Sequence, residues 1–283
     1  MERTEDLTIL DLPDILAAFW NCPTEKGIMA QVVSLHEDHP CLAEDGVTLS
    51  CRIFRGFPEE PFVLFFPAEY DTDSDVIFLA GLLCQFGMTV ASQSYRGCGK
   101  SNGTAGFSPL FSDAEVIFQE ILQKRDEMGC TGPLVLMGRS IGAAIALDLA
   151  ARHQESTLCL VLESAFDRTD DFLAGKGLDV DALGLRGRDP FCNRTKMLRY
   201  KNPVLFLHSS RDPVVSITQV EWLVCESRSK ATQFQIVPSP DRESLARSTG
   251  EFYANAVKDF IHLRMGRRPP RKQRHDRTDK TLI

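Results

Sequence analysis

The chain has 283 residues, 43% hydrophobic and 25% charged, which suits one large α/β domain with an ample core and excludes a disordered or fibrous class. Its net charge of −7 is unevenly placed. Gly266–Ile283 holds seven Lys/Arg and two Asp, which leaves 25 Lys/Arg against 37 Asp/Glu elsewhere, so the acidic body is not expected to bind nucleic acid.

The acidic start, Met1–Asp6, does not read as a secretory signal. Leu12 to Trp20 predicts a short amphipathic helix with Pro13 in its first turn and an apolar stripe of Ile15, Leu16, Phe19 and Trp20. It should pack on the domain, since its polar face is not basic. Ile28 to Leu35 and Val47 to Phe54 read as strands joined by a loop containing His36 and His39, two histidines with no further metal ligands in phase. Phe62 to Phe66 is a continuous apolar run of strand length, the pattern of a buried parallel strand. A helix is expected from about Ser74 to Phe86 and a strand from Met88 to Ser92. The glycine-rich loop Ser94–Gly103 lacks the full spacing of a phosphate-binding loop. A helix from about Ser112 to Glu127 follows.

Pro133-Leu134-Val135-Leu136-Met137-Gly138-Arg139-Ser140-Ile141-Gly142-Ala143-Ala144 is an apolar run ending in Gly-x-Ser-x-Gly and opening a small-residue helix. In this strand–turn–helix context the pattern is a nucleophile elbow. The glycines permit a turn that holds a serine in a strained conformation and puts the N–H of Ile141 beside its hydroxyl. Thr157 to Leu162 is another buried strand. Residues 167–202 are irregular and glycine-bearing, of a size for a small lid. Pro203 to His208 is a strand, Ile217 to Glu226 a helix, Thr232 to Val237 a strand, and about Gly250 to Met265 the last helix.

Alternation of strands and helices predicts an α/β fold, a mostly parallel, doubly wound sheet whose ligands gather at the carboxyl ends of its strands. The expected organisation is an N-terminal helix with leading strands (1–61), a core (62–265) with the lid at about 167–202, and a basic disordered tail (266–283). No apolar run approaches the ~20 residues of a membrane helix. Nine irregularly spaced cysteines read as buried or idle thiols in a reducing, cytoplasmic setting rather than a disulfide framework or a zinc site. No metal or other cofactor is expected.

From Phe62 to about Ile261 the chain resembles the α/β-hydrolase superfamily, its small-lid, serine-aminopeptidase-like or esterase-like branch. Three motifs carry the resemblance: Tyr95-Arg96-Gly97-x-Gly99-Lys100-Ser101-x-Gly103, Gly138-Arg139-Ser140-Ile141-Gly142, and Leu207-His208-x-x-x-Asp212-x-Val214-Val215. The resemblance implies Ser140 as nucleophile and Asp212 as triad carboxylate, in the family's order of serine, acid, histidine. The histidine is missing. Aligned without gaps, Arg242 falls at its position, and arginine, always protonated and without an acceptor lone pair, cannot deprotonate a serine. The His-Gly-x segment after the third strand is also altered, to Pro67-Ala68-Glu69. Proline has no N–H to offer, which leaves Ile141 and Ala68 as oxyanion donors and puts a carboxylate nearby.

Three readings follow from this pattern. One is a hydrolase-fold protein that kept Ser140 and Asp212 but lost efficient turnover, with a small acyl-type ligand or peptide in the elbow pocket. Another is an active serine hydrolase (esterase, thioesterase or peptidase class) with a non-standard base such as His208, Glu163 or Asp241. The third is a scaffold whose basic tail contacts an acidic partner or membrane surface. His262 is expected on the solvent side of the last helix, and His153 a helix length from the Ser140 hydroxyl.

Overall fold

The computed structural model describes residues 6–20, 36–239 and 245–267. Among these residues eight strands form one sheet: β1 (His36–Leu42), β2 (Thr48–Phe54), β3 (Phe62–Phe66), β4 (Thr89–Ser94), β5 (Leu134–Arg139), β6 (Cys159–Glu163), β7 (Val204–Ser209) and β8 (Thr232–Val237). Their order is β1-β2-β4-β3-β5-β6-β7-β8. The β1/β2 and β2/β4 pairs are antiparallel and all others parallel.

The helices are α1 (Pro13–Phe19), α2 (Asp73–Cys84), α3 (Leu110–Glu127), α4 (Ile141–Arg152), α5 (Thr169–Gly175), α6 (Asn193–Arg199), α7 (Ile217–Glu226), α8 (Leu245–Thr249) and α9 (Glu251–Arg264). They cover both faces of the sheet. Leu64, Phe66, Leu136 and Leu162 share one core with Phe118 of α3 and Ile145 of α4. Val63, Phe65, Val135 and Val161 share the other with Leu83 of α2 and Val257 of α9. The apolar runs are continuous because successive side chains of a covered parallel strand enter opposite, equally dry layers.

One expectation fails at the start of the sheet. His36 and His39 lie on β1, not in a loop. As an edge strand β1 needs only one bonded partner and tolerates Pro40, so it lacks the alternation that would reveal it. His36 approaches Asp38 at 3.9 Å and His39 approaches Glu120 at 3.6 Å. The strand expected at residues 28–35 lies outside the described residues, as does the tail beyond Arg267. Residues 167–202, expected to form a small lid, contain α5 and α6, with turns at Gly177, Gly184 and Gly187, all at positive φ.

Among the described residues, seven cysteines are free thiols, but Cys98 is disulfide-bonded, which the expectation of idle thiols did not include. Among the described residues, no helix is long and apolar enough to cross a membrane, and no cluster of His, Cys, Asp or Glu could hold a metal ion.

Candidate active site

At the carboxyl end of β5 the chain turns through Ser140, whose φ of 55° and ψ of −118° lie where few side chains are tolerated. The flanking glycines are required by close backbone approach. A Cβ on Gly138 would sit 2.1 Å from the carbonyl oxygen of Gly142, and one on Gly142 would sit 2.1 Å from that of Phe66. The turn is held by the Ser140 N–H, which donates to the Glu163 carbonyl at 2.9 Å, and by the Ala143 N–H, which donates to the Ser140 carbonyl at 3.0 Å. Ser140 has 0% exposure.

Asp212 follows β7, two strands from β5 and on the same sheet edge. Its Oδ1 accepts the N–H groups of Val214 at 2.9 Å and Val215 at 3.0 Å, which fixes the acid loop. The loop is further tied through Ser209 and Ser210, whose hydroxyls donate to the Ser239 carbonyl. Arg242 and Asp241, both singled out from the sequence, lie outside the described residues.

The histidines are dispersed. His208 is fully buried at the end of β7, four residues before Asp212. His153 closes α4 at the end remote from Ser140, stacked on Phe118 at 4.4 Å and 2.9 Å from Glu115. His262 is partly buried against Glu60 at 3.7 Å rather than fully solvent-facing, and burial lowers its pKa. His275 lies outside the described residues.

Beneath the elbow is a buried charge network not anticipated from the sequence. Arg139, 1% exposed, donates from Nη1 to Asp71 Oδ1 at 2.5 Å. Its Nε lies 2.9 Å from Glu163 Oε1, but the N–H is not aimed along that line, so this contact is ionic rather than a hydrogen bond. The Tyr253 hydroxyl donates to Glu163 Oε2 at 2.5 Å. Burial works against the guanidinium's charge, yet the carboxylates of Asp71 and Glu163 outweigh it and raise its pKa. Burial pushes Asp71 up to about 6, with Arg139 pulling the other way. Arg139 is one cation serving two carboxylates, so burial prevails on Asp71. With both oxygens of Glu163 engaged, a role for it as general base would require this network to break.

The loop after β3 bears on oxyanion binding. The N–H of Ala68 donates to Asp71 Oδ2 at 2.8 Å, so this donor is already used inside the protein. The Tyr95 hydroxyl donates to the Pro67 carbonyl at 2.6 Å. The glycine-rich loop also spends its polar groups on the fold: Arg96 grips Asp113 through Nε at 2.5 Å and Nη2 at 2.6 Å, and the Ser101 hydroxyl donates to the Ser94 carbonyl at 2.7 Å. A cavity of about 360 Å³ opens at the ends of β3 and β4, with Ala68, Glu69, Asp73, Ser92, Tyr95 and Lys100 in its wall; Ser140 is not part of that wall.

A doubly wound, mostly parallel sheet presenting a strained serine on Gly-x-Ser-x-Gly, with an aspartate after the strand two places along, defines an α/β-hydrolase-type protein. The family described as serine aminopeptidase, S33, matches residues 76–179. The α/β-hydrolase domain-containing protein WAV2 of Arabidopsis thaliana is 25% identical over 264 residues, covering 87% of this chain and 84% of WAV2. Protein bem46 of Schizosaccharomyces pombe is 27% identical over 180 residues, covering 62% of this chain and 58% of bem46. The solved esterase Pf2001 of Pyrococcus furiosus superposes with a TM-score of 0.65 at 14% identity, covering 81% of this chain and 92% of the esterase. The chain has the α/β-hydrolase fold.

Proposed function

We propose that this chain is a serine-hydrolase derivative that retains Ser140 and Asp212 as a ligand-binding relic and turns substrate over poorly, with a small acyl-type ligand or peptide as its occupant. One observation carries the reading. From Val237, the end of β8, to Gly250, just before α9, the sequence contains no histidine, and a gapless alignment puts Arg242 at the family's histidine position. Without a base to take and return the serine proton, nucleophilic attack is slowed by orders of magnitude. The engagement of the Ala68 N–H with Asp71 supports the same reading, since the loss of one oxyanion donor typically costs about 10²–10³ in rate.

The alternative is an active serine hydrolase of esterase, thioesterase or peptidase type with His208 as base. It is favoured by the strain kept at Ser140, a conformation that costs on the order of 1–3 kcal/mol and persists in folds that use it. Fluorophosphonate labelling separates the two. Strong labelling of the wild type that Ser140→Ala abolishes would sink the impaired reading. In a separate ester-substrate assay Arg242→His should raise hydrolysis above wild type, and no gain would leave the assignment of that position unsupported.

A further inference from the structure

Lys176, at the end of α5, leaves the lid segment and forms an ion pair with Glu69 in the loop after β3. The carboxylate side chain is 1% exposed and the lysine 13%. The ammonium lies 4.7 Å from the ring centre of Phe19 and 5.6 Å from that of Tyr70. A buried carboxylate beside two aromatic rings is the chemistry that recognises an alkylammonium ion. Here the protein supplies that ion from another element of its own chain.

Two further observations say why this contact differs from ordinary packing. Glu69 lines the 360 Å³ cavity and Lys176 does not, but both carboxylate oxygens are covered, so a ligand in the cavity reaches them only by displacing the lysine. The rest of the lid segment is fastened independently. Lys196 of α6 pairs with Asp148 of α4 at 2.8 Å, its ammonium 3.8 Å above the ring of Phe111, and Phe172 of α5 stacks on Phe166 at 4.0 Å. Beyond Lys176 the chain turns through Gly177 at φ 85° and runs largely exposed to Arg188. Release of the Lys176–Glu69 pair therefore unties the start of this stretch without unpacking α6, while Val180 and Leu185 keep its later part in the core.

We propose that Glu69, Phe19 and Tyr70 form an ammonium-binding box that Lys176 occupies as an internal ligand, and that a primary alkylammonium compound entering through the cavity displaces it and loosens the lid. The link to function rests on the reading that Ser140 is the ligand-facing residue. Glu69 lies three residues past Phe66, whose carbonyl abuts Gly142 of the elbow, so a shift there reaches the turn that buries Ser140.

The test uses the full-length protein and n-butylammonium chloride, with n-butanol and sodium chloride as controls for hydrophobicity and ionic strength. Amide hydrogen exchange is followed over 173–188, and fluorophosphonate labelling of Ser140 in parallel. Butylammonium should accelerate exchange in that stretch with a saturating dependence that neither control reproduces. Lys176→Met should raise exchange there by about tenfold or more without ligand, because removing one member of a buried pair strongly destabilises its contact. Glu69→Gln should abolish the amine response. Exchange that ignores the amine in wild type, or rises equally with butanol, overturns the proposal. Faster exchange without any labelling of Ser140 leaves the ammonium box standing and counts against Ser140 as a reactive site, so the two ideas fail separately.

Discussion

Arg139 and Asp71 are joined by a 2.5 Å hydrogen bond in the interior, and the second oxygen of the same carboxylate holds the N–H of Ala68 at 2.8 Å. The residue just before Ser140 thus fixes, through one aspartate, the loop that follows β3. Arg139→Met would leave the carboxylates of Asp71 and Glu163 buried without their shared cation. The expected loss of stability is about 3–5 kcal/mol, the usual effect of stripping one member from a buried ionic cluster. Urea unfolding at pH 7 measures it, and a loss below about 1 kcal/mol would show that the cluster is not under the stress its burial implies.

Asp71 also sets a pH dependence. Burial raises its pKa to about 6 in the folded protein, above the ordinary carboxylate range. At pH values between that range and 6 the folded state keeps a proton that the unfolded chain has released. The stabilising contribution of this group is therefore full below the unfolded pKa and lost as pH rises through about 6. Asp71→Asn cannot titrate, so the stability of wild type relative to this variant should fall between pH 4 and pH 7. A difference that stays flat or grows over that range would mean that attraction to Arg139 outweighs burial at this carboxylate.

The elbow turn and the mostly parallel, doubly wound sheet were legible in the sequence because each rests on local rules. Buried parallel strands are apolar throughout, and Gly138 and Gly142 mark a turn only glycine fits. What escaped was non-local. β1 was read as a loop, since an edge strand is half wet and its His36-Glu37-Asp38-His39 segment carries no apolar period. The charge network had one visible sign: Arg139 closes an apolar run and Glu163 closes the next, and a shared register brings the two opposite each other. Asp71 and Tyr253 carry no such sign, because only the folded loop after β3 and the packing of α9 bring them in. The same holds for Lys176 and Glu69, 107 positions apart in sequence and joined only when the lid segment folds back.

Strain at Ser140 gives a prediction of opposite sign from the usual core substitution. Its φ of 55° is a conformation that glycine adopts without steric penalty and that serine does not. Ser140→Gly should therefore stabilise the protein by about 1 kcal/mol while removing the hydroxyl, net of the extra freedom glycine brings to the unfolded chain. Chemical unfolding with an unchanged denaturant slope would report it. A destabilised variant would show that the hydroxyl's own contacts are worth more than the strain.

Gly142 offers the sharpest steric test. It opens α4 against the end of β3, where an added Cβ would lie 2.1 Å from the Phe66 carbonyl oxygen and 2.5 Å from that of Pro67. Both obstacles are backbone, so no rotamer change relieves them. Gly142→Ala must push α4 away from β3 or twist the elbow. Either movement disturbs a close-packed layer, and the expected loss is at least about 3 kcal/mol, at the upper end of what overpacking costs. Gly81, on the outer face of α2 with nothing within 4 Å of an added Cβ, is the matched control. Gly81→Ala should stabilise by up to about 1 kcal/mol through helix propensity alone. Thermal unfolding of the two variants side by side checks both signs. Equal effects would mean that the approach of α4 to β3 is looser than these distances require.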